Sequence, residues 1–238
     1  MSMSNRHGDT VVILNAPPRA GKDSLAEYLR VQQYNDSALS MCNTYTSVYS
    51  FKRYPMQLID KIIDIAGISH DEWEERYYSD LKDFPWVKLG GISQRDFITK
   101  VCEEWIKPVF GDKVFGNAAR ETVLDRLNSS LVDRYHSELI VFTDGGFIEE
   151  VEPLINKSVK NNKFNVVIAQ WGAVDTEYGM FGDKRIKFKE SDFKGNVEFL
   201  LLPFNPKGSS SQWEEWHSMC RNTIYNFINK KSACDGNS

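Results

Sequence analysis

The sequence predicts an α/β protein, a parallel sheet with helices on both faces, built as one domain. Three observations predict it. Short apolar, partly β-branched runs at residues 11–14, 139–142 and 165–171 alternate with stretches whose apolar residues recur at helical spacing. The first two runs are apolar throughout and the third is apolar over 166–169, as strands buried on both faces are. The length of 238 residues suits one domain, since domains hold roughly 100–200 residues and α/β folds run longer.

In chain order, residues 1–10 read as a loose leader, 11–230 as the domain and 231–238 as a tail. Val11-Val12-Ile13-Leu14 is the first strand and stops at Asn15-Ala16-Pro17-Pro18. After Lys22, Leu25, Ala26 and Leu29 share one helical face. Residues 48–51 are a second strand. Met56, Ile59, Ile62, Ile63 and Ala66 mark a helix with Gly67 as its C-cap. Residues 69–90 are acidic and aromatic and read as a helix plus an irregular insertion. Ser93 is an N-cap for a helix from Gln94 to about residue 106, ended by Pro108. Another helix spans 116–128.

The run at 139–142 ends in Thr143-Asp144-Gly145-Gly146, before a helix over 148–157. After the strand at 165–171, residues 172–189 mix glycine with charge and read as a mobile loop. Residues 197–202 form the last strand and 208–211 a linker. Trp213, Trp216, Cys220, Ile224, Phe227 and Ile228 mark an amphipathic C-terminal helix that frays from Lys230. There are no internal repeats. Each crossover is expected to be right-handed, and function to sit at the C-terminal edge of the strands.

Composition excludes several classes. With 41% hydrophobic and 26% charged residues the chain is neither disordered nor fibrous. No apolar run approaches the ~20 residues of a membrane span, and the polar start predicts no secretory signal. Cys42, Cys102, Cys220 and Cys234 form no C-x-x-C pair, so a reducing cytoplasm is the expected compartment. The net charge of −4 argues against coating nucleic acid through bulk charge, though not against a local basic groove. His7, His70, His136 and His217 lack metal-ligand spacing.

The main chemical signal is Ala16-Pro17-Pro18-Arg19-Ala20-Gly21-Lys22-Asp23-Ser24, which approximates the phosphate-loop pattern G-x-x-x-x-G-K-[ST]. Successive backbone amides and the next helix's N-terminus converge on one spot that attracts polyphosphate. Gly21 permits close backbone approach. Lys22 reaches the β- and γ-phosphates. The sequence departs from the pattern twice. Ala16 replaces the first Gly, and Asp23 takes the Ser/Thr position that normally holds Mg²⁺, with Ser24 next. Either Asp23 or Ser24 offers the metal a hard oxygen. Asp144, at a strand end, is suited to hold Mg²⁺ or to take an acceptor's proton, or it merely opens the next turn. Gly145-Gly146 is expected to let substrate approach the backbone. Asp71–Glu75 reads as a solvated helix face.

Gly21-Lys22-Asp23-Ser24 resembles the Gly-Lys-Asp-Thr of bacteriophage deoxynucleoside monophosphate kinases. Ile92-Ser93-Gln94-Arg95-Asp96-Phe97, then Glu103-Glu104-Trp105-Ile106-Lys107-Pro108 and residues 110–116, are similar to the Ser-Pro-Arg helix of these kinases and the segment beyond it. Thr143-Asp144-Gly145-Gly146-Phe147-Ile148-Glu149-Glu150 resembles their Asp-x-Arg-Phe-x-x-Glu, and Phe181-Gly182-Asp183-Lys184-Arg185 their lid. The resemblance covers about residues 11–230. It implies a P-loop NTPase fold of the nucleoside-monophosphate-kinase type, with a helical acceptor-binding insertion at about 69–130 and a lid at about 172–190. It further implies ATP, Mg²⁺ and phosphoryl transfer to a nucleotide, in a phage-infected bacterial cytoplasm. Lys22 matches the loop lysine, Arg95 the arginine near the acceptor, and Lys184 and Arg185 the lid cations that clamp the moving phosphoryl.

Gly146 stands where these kinases place Arg. That departure opens a second acceptor, the hydroxymethyl group of 5-hydroxymethyluracil in DNA, which related phage P-loop kinases phosphorylate. Such an acceptor needs a base such as Asp144 and an extruded nucleotide. Lys52-Arg53, residues 157–163 and residues 184–189 are candidates to line a DNA groove, and Trp or Tyr side chains between 73 and 86 to stack a base. A third reading is a module that binds ATP without transferring phosphate. The expected catalytic set is Lys22, Asp144, Arg95 and Arg185. Residues 16–24 are expected to hold ATP, and Asp23, Ser24 and Asp144 the metal. The expected partners are a nucleotide, with DNA as the alternative substrate, and no membrane, the chain being a monomer or homodimer.

Overall fold

The computed structural model describes residues 9–36, 44–128, 137–155, 164–172, 177, 186–206 and 208–235. The expected leader up to residue 8, the basic run at 157–163, most of the lid with Lys184 and Arg185, and the tail beyond 235 lie outside the described residues.

The sheet is parallel throughout and has five strands: β1 (Thr10–Asn15), β2 (Thr44–Tyr49), β5 (Ser137–Phe142), β6 (Asn165–Gln170) and β7 (Glu198–Leu201). Its order is β2-β5-β1-β6-β7. A separate two-stranded ribbon pairs β3 (Pro85–Trp86) with β4 (Ile92–Ser93). β1, β5 and β6 are almost wholly buried, which is why their inner residues, 11–14, 139–142 and 166–169, read as apolar runs. Alternation along β1 divides the core. Val11 and Ile13 face one cluster and Val12 and Leu14 the other. The first cluster takes Val123 of α6 (Val114–Asn128) and Val151 and Leu154 of α7 (Ile148–Ile155). The second takes Leu25, Ala26 and Leu29 of α1 (Lys22–Asp36) and Trp216, Cys220 and Ile224 of α8 (Ser210–Asp235). The path from β1 to β2 runs toward one edge and that from β5 to β6 toward the other. Right-handed crossovers therefore put α1 and α7 on opposite faces.

The insertion shares a third core with α2 (Arg53–Ile65). Ile59 and Ile63 of α2, Trp73 of α3 (His70–Tyr77), Ile98 of α4 (Gln94–Lys100) and Phe115 of α6 pack together. Ser93 caps α4 as expected, its hydroxyl accepting from the Asp96 amide. Pro108 does not end this helix. The chain passes through a π-helical segment, Val101–Ile106, into α5 (Lys107–Phe110), and stops at Gly111, whose φ is +87°. Pro108 lies in the first turn of α5, where a missing N–H is tolerated. The second strand lies earlier than expected because pairing with β5 begins at Thr44. The C-terminal helix starts at Ser210, inside the expected linker, and its backbone runs on to Asp235.

Among the described residues, no helix is long and apolar enough to cross a membrane. Cys102 and Cys220 are buried and free, and burial pushes their thiols up to about 11 and about 12, so neither is a ready nucleophile.

Candidate functional site

The parallel strands bring four chain segments to one edge: residues 16–21 after β1, 50–52 after β2, 143–147 after β5 and Trp171 after β6. Asn15 ties this edge together. It is fully buried, and its amide donates to the carbonyls of Gly145 (3.1 Å) and Ile186 (2.9 Å). Its oxygen accepts from Gln170 Nε2 (2.7 Å) and from the Phe188 amide (3.2 Å). Nothing in a strand-ending Asn distinguishes this role from that of an ordinary turn residue, so the sequence alone does not assign it.

The loop from Ala16 to Gly21 reverses the chain into α1. Arg19 adopts a left-handed φ of +60° and Gly21 one of +81°. At Gly21 a Cβ would stand 2.8 Å from the Trp213 ring, so both backbone and space require glycine. Trp171 braces the loop by donating from its indole to the Ala20 carbonyl (2.9 Å). Lys22, the first residue of α1, is buried. Its ammonium lies 2.7 Å from the carbonyls of both Ala16 and Pro17, curled over the loop. Ala16 itself is buried, and the turn forms with its Cβ present.

Asp23 and Ser24 diverge. Successive helical residues are turned by about 100°. Asp23 is exposed, and its charge reaches Tyr78 of the insertion, whose phenol is raised first by desolvation, then by Glu74, Tyr77 and Asp23. Ser24 faces α8, its hydroxyl 2.7 Å from His217 Nε2. His217 stacks on Tyr28 with centroids 5.1 Å apart, and burial lowers its pKa.

Asp144 accepts from the Ser50 hydroxyl (2.6 Å) and the Lys52 amide (3.2 Å) on one oxygen and from the Phe51 amide (2.8 Å) on the other. It thus fastens the loop after β2, and Oδ1 keeps lone-pair capacity for a further partner. Gly145 does not open space for a ligand, because a Cβ there would meet Ile13 Cγ2 at 2.2 Å. It is glycine so that the loop can lie on β1.

Glu150, in the first turn of α7, is a site candidate that the sequence does not single out. It is 5% exposed and its Oε2 has no hydrogen-bond partner. Burial, and then the charge of Asp144, push its carboxyl up to about 8, against the pull of Lys52, Lys107 and a hydrogen bond from Gly146. Lys107 rests over the Phe147 ring, 5.2 Å from its centroid, and pairs with Glu103 at 2.7 Å.

Arg95, on α4, is brought to the phosphate loop. It is paired with Asp83, which also lies 4.0 Å from Arg19 of the loop, and Arg19 pairs with Asp80 at 3.2 Å. The aromatic residues expected to stack a base divide. Trp73 is in the insertion core and Trp86 packs beside it under the Arg76 guanidinium, whereas Tyr78 is 78% exposed. Asp71, Glu74 and Glu75 are exposed, as a solvated face requires.

Among the described residues no cluster of three or more His, Cys, Asp or Glu side chains is arranged to hold a metal by itself. A single carboxylate with phosphate oxygens and water is a normal set for Mg²⁺, and Asp23 is an exposed carboxylate beside the loop that could join such a set. The fold and the loop together define a mixed α/β protein with a parallel five-stranded sheet flanked by helices, compatible with a P-loop NTPase-like fold. A scan against protein-family models finds no match, and neither does a search of curated proteins.

Proposed function

We propose that this chain is an ATP-dependent P-loop kinase that passes the γ-phosphoryl group to a nucleotide-type acceptor, read first as a deoxynucleoside monophosphate. The observation that carries this reading is Lys22: a buried ammonium folded over a tight loop, at the first residue of a helix whose opening amides have no partner in the helix.

The residues divide the work by position. Amides of the loop and of the first turn of α1 cradle the phosphates, where the backbone turns through the left-handed conformations of Arg19 and Gly21; the Ala20 amide instead closes the turn on the Pro17 carbonyl (3.3 Å). Lys22 exchanges its two carbonyl partners for phosphate oxygens and balances the charge that moves in transfer. Arg95 meets the acceptor, and Arg185 of the expected lid completes the clamp. Mg²⁺, when bound, would supply charge neutralisation for the phosphates, and Asp23 is the exposed side chain that would help to hold it. Asp144 holds the loop after β2 at the acceptor side. The chain contributes position and electrostatics rather than covalent chemistry. The implied compartment is the cytoplasm of a phage-infected bacterium.

A second reading is phosphorylation of a hydroxymethylated base in DNA. It draws support from Gly146, which leaves no cation at that position, and from Tyr78, Phe84, Trp105 and Phe110 of the insertion, each more than half exposed. One experiment separates the two. Labelled ATP is supplied with each of the four deoxynucleoside monophosphates, and in parallel with DNA that does or does not contain hydroxymethyluracil. Label in a nucleoside diphosphate supports the first reading, and label in modified DNA alone replaces it with the second. ATP binding without transfer to either leaves a nucleotide-binding module.

A further inference from the structure

The insertion and the phosphate loop meet at one carboxylate. Asp83 ends a short 3-10 turn, Asp80–Asp83, that is braced on both sides. Before it, the Ser79 hydroxyl accepts from the Leu81 amide and donates to the Arg76 carbonyl (2.9 Å). After it, the Arg76 guanidinium donates to the carbonyls of Phe84 (2.7 Å) and Pro85 (3.2 Å) and covers the Trp86 ring at 5.0 Å. A turn held this way presents its carboxylates in a set direction. Asp83 faces Arg95 side-on, Nε to one oxygen and a terminal nitrogen 3.5 Å from the other. Its second oxygen is 4.0 Å from Arg19. The Arg95 hydrogen bond, with the charges of Arg95, Lys82 and Arg19, holds the Asp83 carboxyl below its usual range, so it stays ionised near neutral pH.

Two guanidinium groups from different parts of the chain therefore share one carboxylate. Arg19 is also paired with Asp80 of the same turn at 3.2 Å, so Asp83 is the carboxylate that brings Arg95 into this cluster and offsets its charge beside Arg19. We propose that Asp83 is a positioning residue: it sets Arg95 of the insertion beside Arg19 of the phosphate loop, and so holds the acceptor's arginine in register with the donor phosphates. The proposal rests on the kinase reading and deepens it. Asp83 touches no reacting atom. It acts through Arg95, whose planar fork is the part that needs orienting.

The test compares Asp83→Asn and Asp83→Glu with wild type, using inorganic triphosphate for calorimetric binding, and for kinetics ATP with each of the four deoxynucleoside monophosphates and with hydroxymethyluracil-containing DNA. Asp83→Asn is expected to raise the acceptor KM about tenfold or more, the size of one lost charged contact. Triphosphate binding is expected to hold or tighten, because a negative charge beside Arg19 is gone. Asp83→Glu is expected to recover most of the acceptor KM. Arg95→Gln combined with Asp83→Asn is expected to be no worse than Arg95→Gln alone. A merely structural role would weaken triphosphate and acceptor together. If wild type transfers phosphate and Asp83→Asn keeps its acceptor KM, the inference is overturned and the kinase reading stands. If wild type neither binds triphosphate nor transfers it, the kinase reading falls and takes the inference with it.

Discussion

The hydroxyl of Ser24 lies 2.7 Å from Nε2 of His217, joining the helix after the phosphate loop to the C-terminal helix across 193 residues of chain. The contact makes α8 part of the loop's support, together with Trp213 against Gly21 and the Trp171 bond to Ala20. It also engages the Ser24 hydroxyl with α8, while Asp23 beside it stays exposed.

That pair is testable by a double-mutant cycle. Ser24→Ala and His217→Phe are each expected to cost about 1 kcal/mol of unfolding free energy, with a coupling of about 0.5–1.5 kcal/mol between them. Because the folded His217 pKa is lowered, the unfolded chain takes up the proton first as pH falls below about 6.5. The wild type is expected to lose stability over that range more steeply than His217→Phe. Urea melts at pH 5 and pH 7 read both effects, and additive losses would mean that the contact carries no energy.

Lys22→Ala is expected to abolish detectable phosphate transfer, a loss of about 10²-fold or more, while far-ultraviolet circular dichroism stays that of wild type. The hydrogen bonds from its ammonium to Ala16 and Pro17 lie within its own loop, so the sheet and its cores survive their removal. Turnover within threefold of wild type would remove Lys22 from the site.

Asn15→Ala should be among the most damaging single substitutions. It strips partners from Gln170, the Phe188 amide and two carbonyls, all in buried or partly buried surroundings. The expected loss is about 2–4 kcal/mol, read as a lower urea midpoint. A loss under about 1 kcal/mol would show that water replaces the amide readily.

Glu150 gives a stability signature as pH rises from about 4.5 to about 8. Its folded pKa of about 8 stands above the ordinary 4.5, so the folded chain binds the proton more tightly than the unfolded one. Stability is therefore full below about 4.5 and is lost as pH rises through about 8. Glu150→Gln keeps the neutral shape and removes the ionisation. It is expected to flatten this decline, so that its stability advantage over wild type grows from pH 5 to pH 8.5. Parallel melts of the two proteins across that range would count against a protonated Glu150.

Much of the fold was legible in the chain because its causes are local. The runs at 11–14, 139–142 and 165–171 had to be buried strands, since so many adjacent apolar side chains need cover on both faces, and β1 divides them as expected between two cores. Ser93 caps its helix because a Ser hydroxyl finds the amide three residues on whatever surrounds it. The Gly-Lys loop was readable for the same reason: the strand, the turn and the start of the helix are consecutive in sequence.

What tertiary structure decided was every meeting between distant side chains. Pro108 looked like a stop, but a π-helical segment placed it in the first turn of a further helix piece. Gly145 looked like room for a substrate and proved to be room for Ile13. Trp73 looked available for stacking and lies in the insertion core. Asn15 with Gln170, Ser24 with His217 and Asp83 between two arginines carry no periodicity and no spacing rule. Such contacts are set by which strand ends and helix faces the packed sheet brings together. Backbone preference and hydrophobic pattern act within a few residues, whereas a contact across the fold exists only once packing has brought its two partners together.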